Sequence, residues 1–410
     1  MPAISERAVE LPASPIRRLV PSADIARKKG LRVYHLNIGQ PDIESPEEFW
    51  QAVRQLASST KVLEYSNSAG REELRRLQAE HYRSIGIEVS PTELLVTTGG
   101  SEALFFALLA CLNPGDEVIF REPCYANYIS FAVELGLRVK PIVTRIEDDF
   151  ALPEPEEFER QITPHTKAIL ICNPDNPTGG VYDDAMMRDL RDICLRHDLF
   201  LIGDEVYREF NYTPQPLTSV LQLEGMEEHA VMCDSVSKRF SLCGARVGFI
   251  VSRNADVISA ALKCGQARLS SPTLEMMAVE RTMSTPAAYF EAVRAEYKRR
   301  QEFLVRTLRS IPGVVCPRLD GAFYAMVRLP VDDTDRFCQW MLEEFEHEGQ
   351  TVMLAPGSGF YATPGLGTNE ARIAYVLNEQ DLSAALECLR HALARYPGRV
   401  EPTGRVGVSA

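Results

Sequence analysis

The chain has 410 residues and a formal net charge of -13, from 44 Lys plus Arg against 57 Asp plus Glu. It is long enough for two domains, and too acidic for nucleic acid or an anionic membrane to be its main partner. No apolar run reaches membrane-spanning length, and Met1 to Leu19 carries Pro, Glu and Arg where an export signal needs an apolar stretch, so a cytoplasmic location is expected. The ten cysteines lie mostly within apolar runs without a C-x-x-C pair, and the seven histidines lack ligand spacing. Buried thiols are expected, and neither a disulfide framework nor a metal site.

The first forty residues read as irregular apart from a helix over Ser22–Lys29. Val33–Ile38 alternates like a short strand and runs into the turn Gly39-Gln40-Pro41-Asp42. Helices are predicted over Pro46–Ala57 and Arg71–Ser84, and a compact strand over Leu94–Thr98. Gly99-Gly100-Ser101-Glu102 then opens an apolar helix through Leu112. A glycine pair between strand and helix leaves free N–H groups at the positive end of a helix dipole, a natural place for phosphate, although such turns also serve only to connect.

From Glu117 strands and helices alternate, the pattern of a mostly parallel sheet. Strands are expected at Glu117–Phe120, Leu137–Val143, Lys167–Cys172, Leu199–Gly203, Ala230–Cys233 and Gly248–Val251. Helices lie between them. Asp204 falls at the end of a buried strand, where a carboxylate is costly without a cation or donor. Ser235, Ser237, Lys238 and Arg246 fall just past another strand end, which in open α/β sheets is where ligands bind. A lysine there is a candidate amine nucleophile, although a solvated loop lysine is the ordinary reading. A helical region from Leu274 to Ser310 reads as a connector. The remainder, with strands near Val314, Ala322–Leu329, Val352–Leu354 and Ala371–Leu377, reads as a smaller α+β unit closed by helix Asn378–Tyr396.

Five segments carry a resemblance: Gly99–Leu104 (GGSEAL), Asn173–Gly180 (NPDNPTGG), Leu201–Tyr207 (LIGDEVY), Ser235–Gly248 (SVSKRFSLCGARVG) and Gly357–Tyr375 (GSGFYATPGLGTNEARIAY). In this order and spacing the chain, over roughly residues 14–395, resembles the fold-type I pyridoxal-phosphate enzymes, and within them the class I/II aminotransferases. The resemblance implies an α/β fold with a mostly parallel sheet of seven-stranded type, helices on both faces, and a smaller α+β domain. The expected division is 45–285 for the large cofactor-binding domain, 1–44 with 286–396 for the small one, and 397–410 for a tail that is a candidate for disorder.

The cofactor implied is pyridoxal 5'-phosphate. By the same resemblance Lys238 makes the Schiff base with its aldehyde and later moves the Cα proton, a task suited to an amine that the cofactor's charges tune well below the free lysine value of about 10.4. Asp204 pairs with the pyridine nitrogen, and Asn176 and Tyr207 donate to the phenolic oxygen. Tyr125 stacks on the ring. The phosphate rests on amides around Gly100, Ser101 and Glu102, on the Ser235 and Ser237 hydroxyls and on Arg246, with Tyr65 reaching in from a second subunit of a homodimer. Arg372, helped by Asn176 and the Gly39 amide, binds the substrate α-carboxylate.

Arg268 has two readings, recognition of a second carboxylate as in aspartate or glutamate, or a structural arginine. Cys243 is a packing residue or an oxidation-sensitive thiol. The function implied is ping-pong transfer of an amino group between an L-amino acid and a 2-oxo acid, of the aspartate/glutamate type where Arg268 binds a second carboxylate. The alternative is another fold-type I reaction class: elimination or replacement, decarboxylation, carbon–carbon bond formation or oxidase chemistry. A cofactor-binding regulator is a third, non-enzymatic reading.

Overall fold

The computed structural model describes residues 2–401; of the tail expected from 397, residues 402–410 lie outside that range. Gly398 and Val400 are held by backbone hydrogen bonds with Asp332 and Pro330.

A seven-stranded sheet takes the spatial order Leu94–Thr97, Gly248–Val251, Ala230–Ser235, Phe200–Asp204, Thr166–Cys172, Glu117–Glu122, Arg138–Val143. All neighbours are parallel except Gly248–Val251, which runs antiparallel to both of its partners. Successive residues of one strand point to opposite faces. Ala168, Leu170 and Cys172 join one hydrophobic cluster, with Ala103, Leu104 and Phe131 from helices Gly100–Cys111 and Ala126–Leu135. Ile169 and Ile171 join another, with Leu74, Leu190 and Ile193 from helices Glu72–Ser84 and Asp184–His197. Near-continuous apolar strands are the consequence of covering both faces.

Beyond this sheet, Ala355–Pro356, Glu370–Ala374 and Tyr324–Arg328 form a three-stranded antiparallel sheet, and Arg32–His35 pairs in parallel with Gln350–Met353. Leu36 also accepts a backbone bond from Ala374, so the N-terminal strand is tied to the sheet that carries Arg372. These strands, with helices Thr334–Glu343 and Glu379–Arg395, make the smaller α+β part.

Three expectations about elements need correction. The single helical region from Leu274 is two helices, Thr273–Thr282 and Ala287–Arg309, broken at Pro286, which has no N–H to donate and restrains Thr285. The strand near Val314 is a lone bridge between Val315 and Arg328. The irregular start contains a short helix, Glu6–Glu10, capped by the Ser5 hydroxyl, which accepts from the Ala8 amide.

Candidate active site

A cavity of about 540 Å³ opens at the C-terminal ends of the parallel strands and is lined by Gly39, Gly100, Ser101, Tyr125, Asn176, Asp204, Tyr207, Ser235, Ser237, Lys238, Arg246 and Arg372, among others. Twelve of the fifteen residues given cofactor or substrate roles in the sequence therefore meet in one place. Three do not line it: Glu102, Arg268 and Tyr65.

Lys238 sits on the one-turn helix Val236–Arg239, immediately after strand Ala230–Ser235. Its Nζ donates to the Gly39 carbonyl at 2.7 Å and lies 3.6 Å from the Cys243 sulfur. Gly39 is required here because a Cβ would fall 1.7 Å from the Tyr324 hydroxyl. Burial pulls the Lys238 amine down, but Tyr324, Cys243 and Tyr125 push it up, and the net direction is up.

Asp204 ends its strand with one oxygen satisfied and one not. Oδ2 accepts from the Tyr128 hydroxyl at 2.7 Å, whereas Oδ1 is buried without a partner. Burial pushes the carboxyl up to about 6, against the downward pull of the Tyr128 bond and a backbone bond from Val206.

Beside it the Asn176 side-chain amide donates to the Tyr207 hydroxyl at 3.3 Å, and the Tyr207 and Tyr324 hydroxyls are 3.0 Å apart. Arg372 is fully buried. It donates through Nη1 to the Asn176 side-chain oxygen at 2.9 Å and through Nη2 to the Asn37 carbonyl at 2.7 Å, and packs over the Tyr324 ring at 4.4 Å and the Phe360 ring at 4.9 Å. Its Nε has no partner, and burial lowers its basicity.

Another corner is built for an anion. Helix Gly100–Cys111 starts without a side-chain cap, which leaves first-turn amides unpaired. Gly99 has φ +78°, and a Cβ there would meet Arg246 Nη2 at 2.4 Å, so only glycine admits the arginine this close. Arg246 donates to the Cys243 and Thr98 carbonyls at 3.1 and 3.3 Å, and the Ser235 and Ser237 hydroxyls lie 2.8 Å apart.

Glu102 accepts from the Thr98 amide at 2.7 Å and from Arg268 Nε at 2.9 Å. Arg268 also donates to the Val96 carbonyl at 2.8 Å. Its position is a neighbouring hollow shared with Leu63, Glu64, Tyr65 and Thr98, where Tyr65 is 78 % exposed. Sequence reasoning missed Arg17, Asn37 and Tyr324. No spacing marked them, since Arg17 lies in a segment without periodicity and Tyr324 reads as an ordinary strand aromatic.

The family Aminotransferase class I and II matches residues 32–389. The chain belongs to the class I and II aminotransferases. A probable aspartate/prephenate aminotransferase of Thermus aquaticus is 32% identical over 396 residues, covering 92% of this chain and 98% of that one. The aspartate aminotransferase of Thermus thermophilus, solved with maleate, superposes with a TM-score of 0.86 at 30% identity, covering 96% of this chain and 100% of that one. An alanine aminotransferase of Pyrococcus furiosus superposes with a TM-score of 0.85 at 26% identity, covering 95% and 99%. The protein is a transferase that uses pyridoxal phosphate to move an amino group between an amino acid and a 2-oxo acid, and the other reaction classes considered from the sequence are not favoured. The aminotransferase site fits that cofactor. A buried carboxylate oxygen without a donor suits a protonated ring nitrogen, and the uncapped helix start with Arg246 and two serines suits a phosphate.

Proposed function

We propose that Lys238 is the amine that bonds covalently to the cofactor aldehyde and then carries the substrate's Cα proton. The observation that carries this is the convergence of Lys238, the half-satisfied Asp204 and the buried Arg372 on one cavity. When bound, pyridoxal phosphate supplies the electron sink that makes the Cα proton of an amino acid acidic. Asp204, whose Oδ1 is free of other partners, would hold the proton on the ring nitrogen. Asn176 and Tyr207 would present N–H and O–H donors to the phenolic oxygen, and Tyr125 would pack on the ring. Gly100, Ser101, Ser235, Ser237 and Arg246 hold the phosphate, and Glu102 steadies that turn through the Thr98 amide. Arg372, oriented by Asn176 and the Asn37 carbonyl, takes the substrate α-carboxylate with its planar fork. Gly39 holds the Lys238 amine through its carbonyl.

The substrates we propose are an acidic L-amino acid and a 2-oxo acid. The names of the relatives support this, as does maleate, itself a dicarboxylate, with the Thermus thermophilus enzyme. The working unit is a homodimer: Val62, Leu63, Tyr65 and Leu269 are more than half or half exposed, and an apolar patch of this kind around Arg268 suits a second copy. In that arrangement Tyr65 completes the partner's phosphate site. The ten cysteines, all free, suit the reducing cytoplasm. The domain limits we infer are 45–285 against 1–44 with 286–396.

The test is spectroscopic. Protein loaded with pyridoxal phosphate should show visible absorbance that borohydride removes and that Lys238→Ala lacks. Absorbance kept in Lys238→Ala would overturn the assignment. With single amino acids the loaded protein should release the 2-oxo acid in stoichiometric amount, and release of ammonia or carbon dioxide instead would point to a different reaction.

A further inference from the structure

Four cationic side chains line the cavity, Arg17, Lys238, Arg246 and Arg372, against one acid, Asp204. On the reading above, Lys238 and Asp204 serve the cofactor, Arg246 its phosphate and Arg372 the α-carboxylate. Arg17 is the charge left over. Its neighbour Arg18 is tied down by an ion pair with Asp335 and donates to the Ser358 hydroxyl at 3.5 Å. Among the described residues the Arg17 guanidinium has no hydrogen bond or ion pair, and the residue is exposed at the cavity wall.

The backbone that carries it is not loose. Ile16 is buried at 7 % exposure in a cluster with Ala126, Phe360 and Tyr361, and Leu19 is buried on the other side of the arginine pair. Backbone bonds from Arg17 and Arg18 to the Ser14 carbonyl, 3.1 and 2.9 Å, close the turn. Asn37 joins this turn to the carboxylate arginine: its side-chain amide donates to the Ile16 carbonyl at 2.6 Å while its own carbonyl accepts from Arg372. Burial is the main cause of the lowered basicity of Arg372, but the charge of Arg17 is close enough to contribute to it. A segment built in this way holds a cation beside the α-carboxylate site, in a different corner from the phosphate cradle at Gly99, Gly100 and Arg246.

We propose that Arg17 is the specificity-determining residue of this site, and that it pairs with the side-chain carboxylate of an acidic amino acid whose α-carboxylate is held by Arg372. This rests on the assignment of Arg372 given above. Arginine's fork matches a carboxylate, and an unpaired guanidinium at the wall of a cavity gains most from a ligand that brings the missing charge. Arg268, the candidate suggested by the sequence, already has Glu102 and the Val96 carbonyl as partners.

The experiment compares the loaded wild-type protein with Arg17→Gln and Arg17→Lys on L-aspartate and L-glutamate against L-alanine and L-norvaline. It also measures binding of succinate against butyrate by calorimetry. In Arg17→Gln the acidic-over-neutral ratio of kcat/KM should fall about 10- to 100-fold, chiefly through KM, the range expected for losing a charged hydrogen-bonded pair. Succinate should lose its advantage over butyrate, and Arg17→Lys should recover part of both. An unchanged ratio, or a wild-type protein that binds succinate no better than butyrate, overturns the proposal. A succinate preference that depends on Arg17 in a protein that transfers no amino group would instead overturn the reaction assignment and leave Arg17 in place. A drop in succinate affinity for Arg372→Gln as large as that for butyrate identifies Arg372 as the shared carboxylate site, and its absence overturns the two-carboxylate geometry.

Discussion

Two buried aspartates stand near the ends of neighbouring parallel strands, and they are treated in opposite ways. Asp204 is in register with Cys233, so Asp234, one residue further on, projects from the other face of the sheet. There Asp234 is fully served: Arg239 Nη2 donates at 2.6 Å, the Tyr82 hydroxyl at 2.8 Å and the Ser235 amide at 2.7 Å. Asp204, equally buried, has Tyr128 on one oxygen and nothing on the other. At Asp234 the fold supplies a donor to each carboxylate oxygen. Where it leaves a carboxylate oxygen unpaired, beside a cavity with a lysine, the missing partner is a ligand.

The contrast can be broken by mutation. Asp234→Ala strips the nearer of two acidic partners from a guanidinium that is 2% exposed, leaving Glu209 at 3.3 Å, and should cost up to about 3–5 kcal/mol of stability, read as a lowered denaturation midpoint. A loss under about 1 kcal/mol would mean that Arg239 finds other partners. On the proposed pairing of Asp204 with the ring nitrogen, Asp204→Asn should leave the fold intact and reduce kcat by roughly 10²–10³-fold, since it would remove the charge proposed for that position.

The stability of cofactor-free protein should move the other way at Asp204. Its folded value is raised from 3.8 to about 6, so between these limits the folded state binds more protons than the unfolded chain, and stability falls as pH rises through the window. Above it the penalty is complete. Asp204→Asn should therefore stabilise cofactor-free protein at pH 8 by up to about 3 kcal/mol, with the gain disappearing by pH 3. Urea melts at the two pH values measure this, and an equal effect at both would show that charge burial is not the cause. The smallest effect is expected from Tyr128→Phe, which removes the one side-chain donor to Asp204. It should raise the Asp204 value further and cost about 1 kcal/mol at pH 8, and little at pH 3.

Some of the site falls at places with recognisable local chemistry, but the roles of its residues rested on the resemblance carried by five segments together, since each residue alone also had an ordinary reading. Ser235 closes one strand and Ser237 and Lys238 follow it, Asp204 closes another, and Gly99 and Gly100 open a helix. The alternation of apolar strands with helices indicated a mostly parallel sheet. Boundaries were less legible: Pro286 splits a helical pattern that is continuous in its hydrophobic spacing, and the strand near Val314 has too few partners to extend past one bridge.

Other features depended on chain segments meeting across long separations. The Tyr324 hydroxyl fills the space where Gly39 has no side chain, 285 residues earlier, and Asn37 ties Arg372 to the turn that carries Arg17. Local sequence determines where the strands end and which side chains stand there, because backbone propensity and hydrophobic period act over a few residues. It does not determine which of several arginines keeps a free guanidinium. Arg268 and Arg17 are both cations in irregular segments, and only the folded chain supplies Glu102 to one and a cavity wall to the other. Pairing depends on distance in space, which the fold sets after the elements have formed.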